Sequence, residues 1–214
     1  MLFLSITTFF ESAAGMAFSV GVVVLLIVAF ALFLKRKSRL SVKALTYSAI
    51  SIALAMVLSN IKLFDMPQGG TVTACSMLFV SIIGYWFGLW PGLIAAATYG
   101  MLQLIIEPYV IHPVQLLMDY IFAFGALGLS GLFINSKYGL YKGYILGCLA
   151  RCLFSTLSGI IFFAEYAGDM PVVLYSAGYN LSYIIPEIII TLIILRIPAF
   201  NAAIENIKNM AVKE

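Results

Sequence analysis

Apolar runs long enough to cross a lipid bilayer recur along almost the whole of this chain, and no other feature constrains its fold as tightly. The hydrocarbon core of a bilayer is about 30 Å thick, a distance an α-helix covers in roughly 20 residues. Apolar segments occupy 15–34, 44–61, 71–88, 91–107, 114–134, 143–164 and 172–197. Turn-forming and helix-breaking groups separate them: Met66-Pro67-Gln68-Gly69-Gly70, Gly88-Leu89-Trp90-Pro91-Gly92, Glu107-Pro108 with His112-Pro113, and Gly168-Asp169-Met170-Pro171. Of the 214 residues, 63% are hydrophobic and 10% charged, against about 25% charged in an ordinary soluble domain. A water-soluble fold of this length could not hide so much apolar surface. The expectation is an all-α integral membrane protein in contact with membrane lipid, with no role in nucleic-acid binding.

The charges orient the segments. Lys35, Arg36, Lys37, Arg39 and Lys43 follow the first run, so the positive-inside rule makes that loop cytoplasmic and the N-terminus external. Counting crossings, the 135–142 loop with Lys137 and Lys142, and the region after Arg196 with Lys208 and Lys213, also lie inside. Ten of the twelve basic residues obey this assignment, Lys62 and Arg151 being the exceptions. Glu11, Asp65, Glu107, Glu165 and Asp169 fall outside. The first run, rich in Val, Leu and Phe and set off by a basic linker, reads as an added anchor. The expected organisation is therefore an N-terminal transmembrane helix with its cytoplasmic linker over 1–40, a six-helix membrane domain over 41–197 and a cytoplasmic tail over 198–214. No convincing internal repeat is visible, which argues against carriers built from inverted repeats.

Ionisable residues inside apolar runs are costly and mark candidate sites. Here they are Asp119, Arg151 and Glu187. Asp119 lies about five residues into its run, roughly 8 Å deep at 1.5 Å per residue. An ion pair between Arg151 and either acid, serving only to hold helices together, is one alternative; a proton relay among the three is another. Tyr175, Tyr179 and Tyr183 share one helix face at a spacing of four, either as interfacial anchors or as part of a site. Asn180 needs partners if buried. The outer loops gather Phe64, Asp65, Gln68, Glu107, Tyr109, His112 and Gln115. Ala49 and Ala53, four apart, would let another helix approach closely. Gly84, Gly88 and Gly92 repeat the same spacing, but Pro91 should end any single helix there. Cys75, Cys148 and Cys152 sit in apolar runs and read as small packing residues. The sequence has no G-x-x-x-x-G-K-[ST] nucleotide loop, no H-E-x-x-H and no G-x-S-x-G. One His argues against a metal site, and no nucleophile–base pair suggests an enzyme.

Several stretches together resemble a known family. Pro67-Gln68-Gly69-Gly70-Thr71, Tyr99-Gly100-Met101-Leu102-Gln103, His112-Pro113-Val114-Gln115-Leu116-Leu117-Met118-Asp119-Tyr120, Ala123-Phe124 and Gly128-Leu129-Ser130-Gly131 are similar to the S components of energy-coupling-factor (ECF) vitamin transporters, and most of all to the thiamine-specific branch. Arg151, Ser158-Gly159 and Tyr179-Asn180-x-Ser182-Tyr183-x-x-Pro186-Glu187 agree. The resemblance covers roughly 44–197. It implies a six-helix bundle of the S-component type, here with one extra N-terminal helix, that binds its vitamin near the outer face. Partners would be an ECF transmembrane coupling subunit and ATPase subunits, so ATP is used only by partners and no cofactor is needed. On this resemblance the acidic-aromatic pair of the pocket falls on Asp119 and Tyr120, and the pocket Tyr and Asn of the last helix on Tyr175 and Asn180. Arg151 takes the place of a basic pocket-side residue, and Ala49 and Ala53 that of the docking motif for the coupling subunit. Ser155 and Phe163 stand at pocket positions where the family pattern has His and Trp. The implied function is capture of thiamine at the outer face of a bacterial-type cell membrane. The alternatives are an S component for another vitamin or a thiamine precursor, and a stand-alone proton-coupled carrier.

Overall fold

The structure, a computed structural model, describes residues 41–212. The first apolar run, expected to be an anchor helix, lies outside the described residues. Within them are seven helices and one small hairpin. Helix α1 runs Val42–Ser59 and is capped by Ser41, whose Oγ accepts from Ala44 N at 3.1 Å. The antiparallel strands β1 (Lys62–Asp65) and β2 (Thr71–Thr73) follow. Then come α2 (Ser76–Phe87), α3 (Leu89–Ile106), α4 (Pro113–Phe133), α5 (Gly139–Phe162), α6 (Val172–Leu195) and α7 (Pro198–Val212). By length and apolarity α1, α3, α4, α5 and α6 are each able to cross a membrane. The fold is therefore an all-α membrane protein with five candidate spans.

Three features depart from the sequence expectation. The run 71–88 is not one helix: residues 71–73 form β2, Cys75 takes a left-handed φ of 65°, and helix begins only at Ser76. Thr71-Val72-Thr73 is β-branched and alternates, and β1 offers it a partner. The residue that ends helix near Pro91 is Gly88, with φ 95°; Pro91 sits in the first turn of α3, where its missing N–H costs nothing. The segment expected as a simple tail contains α7, which lies across one end of the bundle. Tyr85 Oη donates to Glu205 Oε1 at 2.7 Å, and Lys208 Nζ donates to Ile134 O at 3.1 Å while standing 3.7 Å from the Tyr85 ring centroid.

The core centres on α2. Ten of its twelve residues are buried, so it is surrounded by the other helices. Small residues permit the closest crossings. A Cβ added at Gly92 would lie 2.6 Å from Gly84 Cα and 2.8 Å from Gly128 O, so α2, α3 and α4 meet backbone to backbone. Helix α4 is irregular. Leu117–Phe122 has π-type geometry and Ala126–Phe133 winds as a tighter 3₁₀ coil. Asp119 and Tyr120 fall on the π segment, a departure from regular helix that is frequent at functional sites.

Candidate functional site

At the hairpin end of the bundle lies a cavity of about 340 Å³, within the usual range for small-ligand pockets. Its walls come from the β1–β2 turn and β2, the start of α2, and helices α3 to α6 with the turns beyond α3 and α5. All seven residues expected to bind substrate line it: Asp119, Tyr120, Arg151, Ser155, Phe163, Tyr175 and Asn180.

The buried face of α6 is polar, carrying Ser176, Asn180, Tyr183, Glu187 and Thr191 at helical spacing. Asn180 Oδ1 accepts from Tyr183 Oη at 2.7 Å, and its Nδ2 donates to Ser176 O at 2.9 Å. Ser176 Oγ in turn donates to Thr156 O on α5 at 2.8 Å. The three tyrosines do share a face: ring centroids are 6.3 Å apart for Tyr175–Tyr179 and 5.8 Å for Tyr179–Tyr183. Two of them, Tyr175 and Tyr179, hold the hairpin turn. Tyr179 Oη donates to Pro67 O and accepts from Gly70 N at 2.9 Å, and Tyr175 Oη donates to Gln68 Oε1 at 3.3 Å. Gly70 must be glycine, since a Cβ there would fall 2.7 Å from Tyr179 Oη.

The three intramembrane charges do not form the helix-locking ion pair weighed above. Among the described residues, no ion pair involves Arg151. Its guanidinium lies 4.1 Å from the Phe124 ring centroid, a cation–π contact, and its buried Nε has no hydrogen-bond partner. Glu187 instead faces the start of α2. Its carboxylate accepts from Thr73 N (3.0 Å), Thr73 Oγ1 (2.9 Å) and Met77 N (3.3 Å). It thereby supplies the N-terminal cap that Cys75 does not. Three donors bind Glu187 in place, with Ser76 Oγ behind them 2.6 Å from Thr73 Oγ1, which suits a structural carboxylate better than a proton carrier. With Asp119, Glu187 and Arg151 ionised and the lining Glu107 offset by Lys62, the cavity carries one net negative charge.

The mouth is built from the turn after α3. Tyr120 Oη accepts from Tyr109 N and donates to Glu107 O, both at 2.8 Å, so this pocket hydroxyl is already engaged by backbone. Tyr109 stacks on Phe163 with centroids 5.9 Å apart and planes at 19°. Lys62 on β1 reaches Glu107 at 2.8 Å and ties the hairpin to this turn. Of the polar and aromatic loop residues singled out in the sequence, Gln68, Glu107, Tyr109 and Gln115 line the cavity, while Phe64 and Asp65 are exposed. His112 caps α4, its Nδ1 accepting from Val114 N at 3.1 Å, and its ring stacks on Phe162. Sequence reasoning did not identify Thr73 and Ser76 as site residues, and neither carries a charge that would have singled it out; Tyr183, open in the sequence between anchor and site residue, lines the cavity. Ala49 and Ala53 are exposed on α1, away from the cavity.

Membrane-spanning helices gathered round a ligand-sized cavity of aromatic, amide and charged groups define a multi-pass membrane protein that binds a small solute. Comparison with known proteins gives the particular family. The model of the family described as Thiamine transporter protein (Thia_YuaJ) matches residues 45–206. Thiamine transporter ThiT of Bacillus subtilis (strain 168) is 34% identical over 164 residues, covering 69% of this chain and 85% of that protein. A solved structure of ThiT from Listeria monocytogenes is similar with a TM-score of 0.59 at 25% identity, over 73% of this chain and 96% of that one. The chain belongs to the thiamine transporter family, whose members are transporters and not enzymes.

Proposed function

We propose that this chain is the S component of an ECF transporter, which captures thiamine in the cavity at the hairpin end and delivers it inward with partner subunits. The observation that carries the reading is the cavity's charge and lining together. Thiamine joins a permanently cationic thiazolium to a flat aminopyrimidine and a hydroxyl. A net negative, partly dry cavity attracts such a cation more strongly than water-exposed charges would. In this reading Asp119 faces the thiazolium, and Tyr175, Phe163 and Tyr109 supply stacking and cation–π contacts of roughly 0.5–2 kcal/mol each. Asn180 meets the pyrimidine edge, Tyr120 forms the wall, and Arg151 and Ser155 complete the polar lining.

The exposed face of α1, with Ala49 and Ala53, is the docking surface for the coupling subunit, and the ATPase subunits supply the nucleotide chemistry for which this chain has no motif. The hairpin end faces outward in a bacterial-type plasma membrane, and α7 and the basic 135–142 loop face the cytoplasm. Six helices, α1 to α6, form the substrate-binding domain over 41–197, preceded by the anchor and linker of 1–40.

Calorimetric titration of thiamine into the detergent-purified chain, without partners, tests the reading. One-to-one binding is expected. A folded protein that ignores thiamine but binds its pyrimidine precursor or another vitamin would reassign the substrate, and Ser155 and Phe163 would be the first positions to explain why.

A further inference from the structure

Gln115 is almost completely buried, at 1% exposure, and lines the cavity one helical turn before Asp119. A glutamine amide has two N–H donors and one carbonyl acceptor, and here all three groups are used. Nε2 donates to Asp119 Oδ2 at 2.6 Å and to Tyr109 O at 3.1 Å, and Oε1 accepts from Ile111 N at 3.2 Å. The arrangement has one workable orientation. Turning the amide over would set its carbonyl oxygen against the Asp119 carboxylate and its NH₂ against the Ile111 N–H, losing all three bonds at once. A buried polar group left without partners is costly, so the side chain is held as firmly as the backbone it touches.

The same turn is tied a second time through Tyr120, whose hydroxyl bonds Tyr109 N and Glu107 O. Asp119 and the mouth turn are therefore two ends of one hydrogen-bonded unit, and the Gln115 side chain bonds both.

We infer that Gln115 is a positioning residue of the site: it aims the Asp119 carboxylate at the bound cation and fixes that carboxylate to the mouth turn. The inference rests on the thiamine reading above. Its hydrogen bond engages Oδ2 from the side of the turn, so the carboxylate is oriented without its charge being cancelled by a cationic partner. A ligand cation then meets a carboxylate already in place, which is how preorganisation improves affinity.

A double-mutant cycle on the full-length chain in detergent tests this, with thiamine as the titrant and ligand-free melting as the folding control. Gln115→Met, of similar length but without the amide, should weaken binding about tenfold or more when Asp119 is present. In the Asp119→Ala background, where no carboxylate remains to aim, the same change should cost less than about threefold, because groups acting as one unit are strongly non-additive. Equal losses in the two backgrounds, or no loss in either, would overturn the inference while leaving the thiamine reading intact. Failure of the unmodified chain to bind thiamine would overturn both. If Gln115→Met does not fold, Gln115→Leu, which also removes the amide and adds no charge beside Asp119, enters the same cycle with the same criteria.

Discussion

Glu187 illustrates how a residue can be conspicuous in the sequence for one reason and important in the structure for another. An acid deep in an apolar run is costly unless it has partners, and its partners here are the donors at the β2–α2 junction. Glu187→Ala would leave Thr73 N–H and Met77 N–H buried without an acceptor, at about 1–3 kcal/mol each. The expected result is a lower ligand-free melting temperature and weaker thiamine binding, with Glu187→Gln intermediate because it keeps one acceptor. A variant that melts and binds as the unmodified chain does would remove Glu187 from the frame of the site. At this scale the site was legible where a residue type was out of place. Asp119, Arg151 and Asn180 stand out against their apolar neighbours, and all three line the cavity. Thr73 and Ser76 do not stand out, since hydroxyl side chains are ordinary in membrane helices and in strands. Gln115 was visible as a polar residue of the outer loops and of the family motif but not as a positioning group, because two of its three partners are set by the fold of the preceding turn.

Helices were legible from hydropathy, but their ends and irregularities were not. The apolar run 71–88 contains both β2 and α2, and the hairpin partner of β2, Lys62–Asp65, is exposed along its whole length. The β-branched Thr71-Val72-Thr73 is too short a signal to separate a strand from a helix at the head of an apolar stretch. The glycines marked the crossings more reliably. Gly92→Val would drive a branched side chain into Gly84 and Gly128, and overpacking of this kind costs about 1–3 kcal/mol or more. Thermal unfolding in detergent should show a clear loss of stability, and an unchanged melting temperature would mean that α2, α3 and α4 can separate. The hairpin's tie to the mouth turn is weaker. Hydrogen bonding to Glu107 raises the Lys62 ammonium above its ordinary value of 10.5. A raised value means that the stabilisation is fully present below 10.5 and is lost only as pH climbs through the higher folded-state value. The pair is partly exposed, at 30% and 52%, so Lys62→Met should cost no more than about 1 kcal/mol. Stopped-flow release of thiamine should accordingly be almost unchanged by that variant and flat from neutral pH upward until the lysine begins to titrate.

For the molecule as a whole, binding and transport should be separable. Among the described residues only Ala44, Ser51 and Ala55 of α1 are buried, and Ala49 and Ala53 on its opposite face are exposed. Ala53→Trp, on that face, should abolish ATP-dependent uptake by cells while leaving thiamine titration of the purified chain unchanged. Loss of binding instead would mean that α1 repacks against the cavity. The shortness of α2 carries a further consequence. Its twelve residues reach about 18 Å at 1.5 Å per residue, against a hydrocarbon layer of about 30 Å. What replaces the missing length is the cavity itself, with Met77 at the head of α2 forming part of its floor. If the hairpin end faces outward as proposed, a vitamin resting there would already have descended past the outermost part of the oily layer, so capture would complete the first stretch of the crossing and leave only the remainder to be opened.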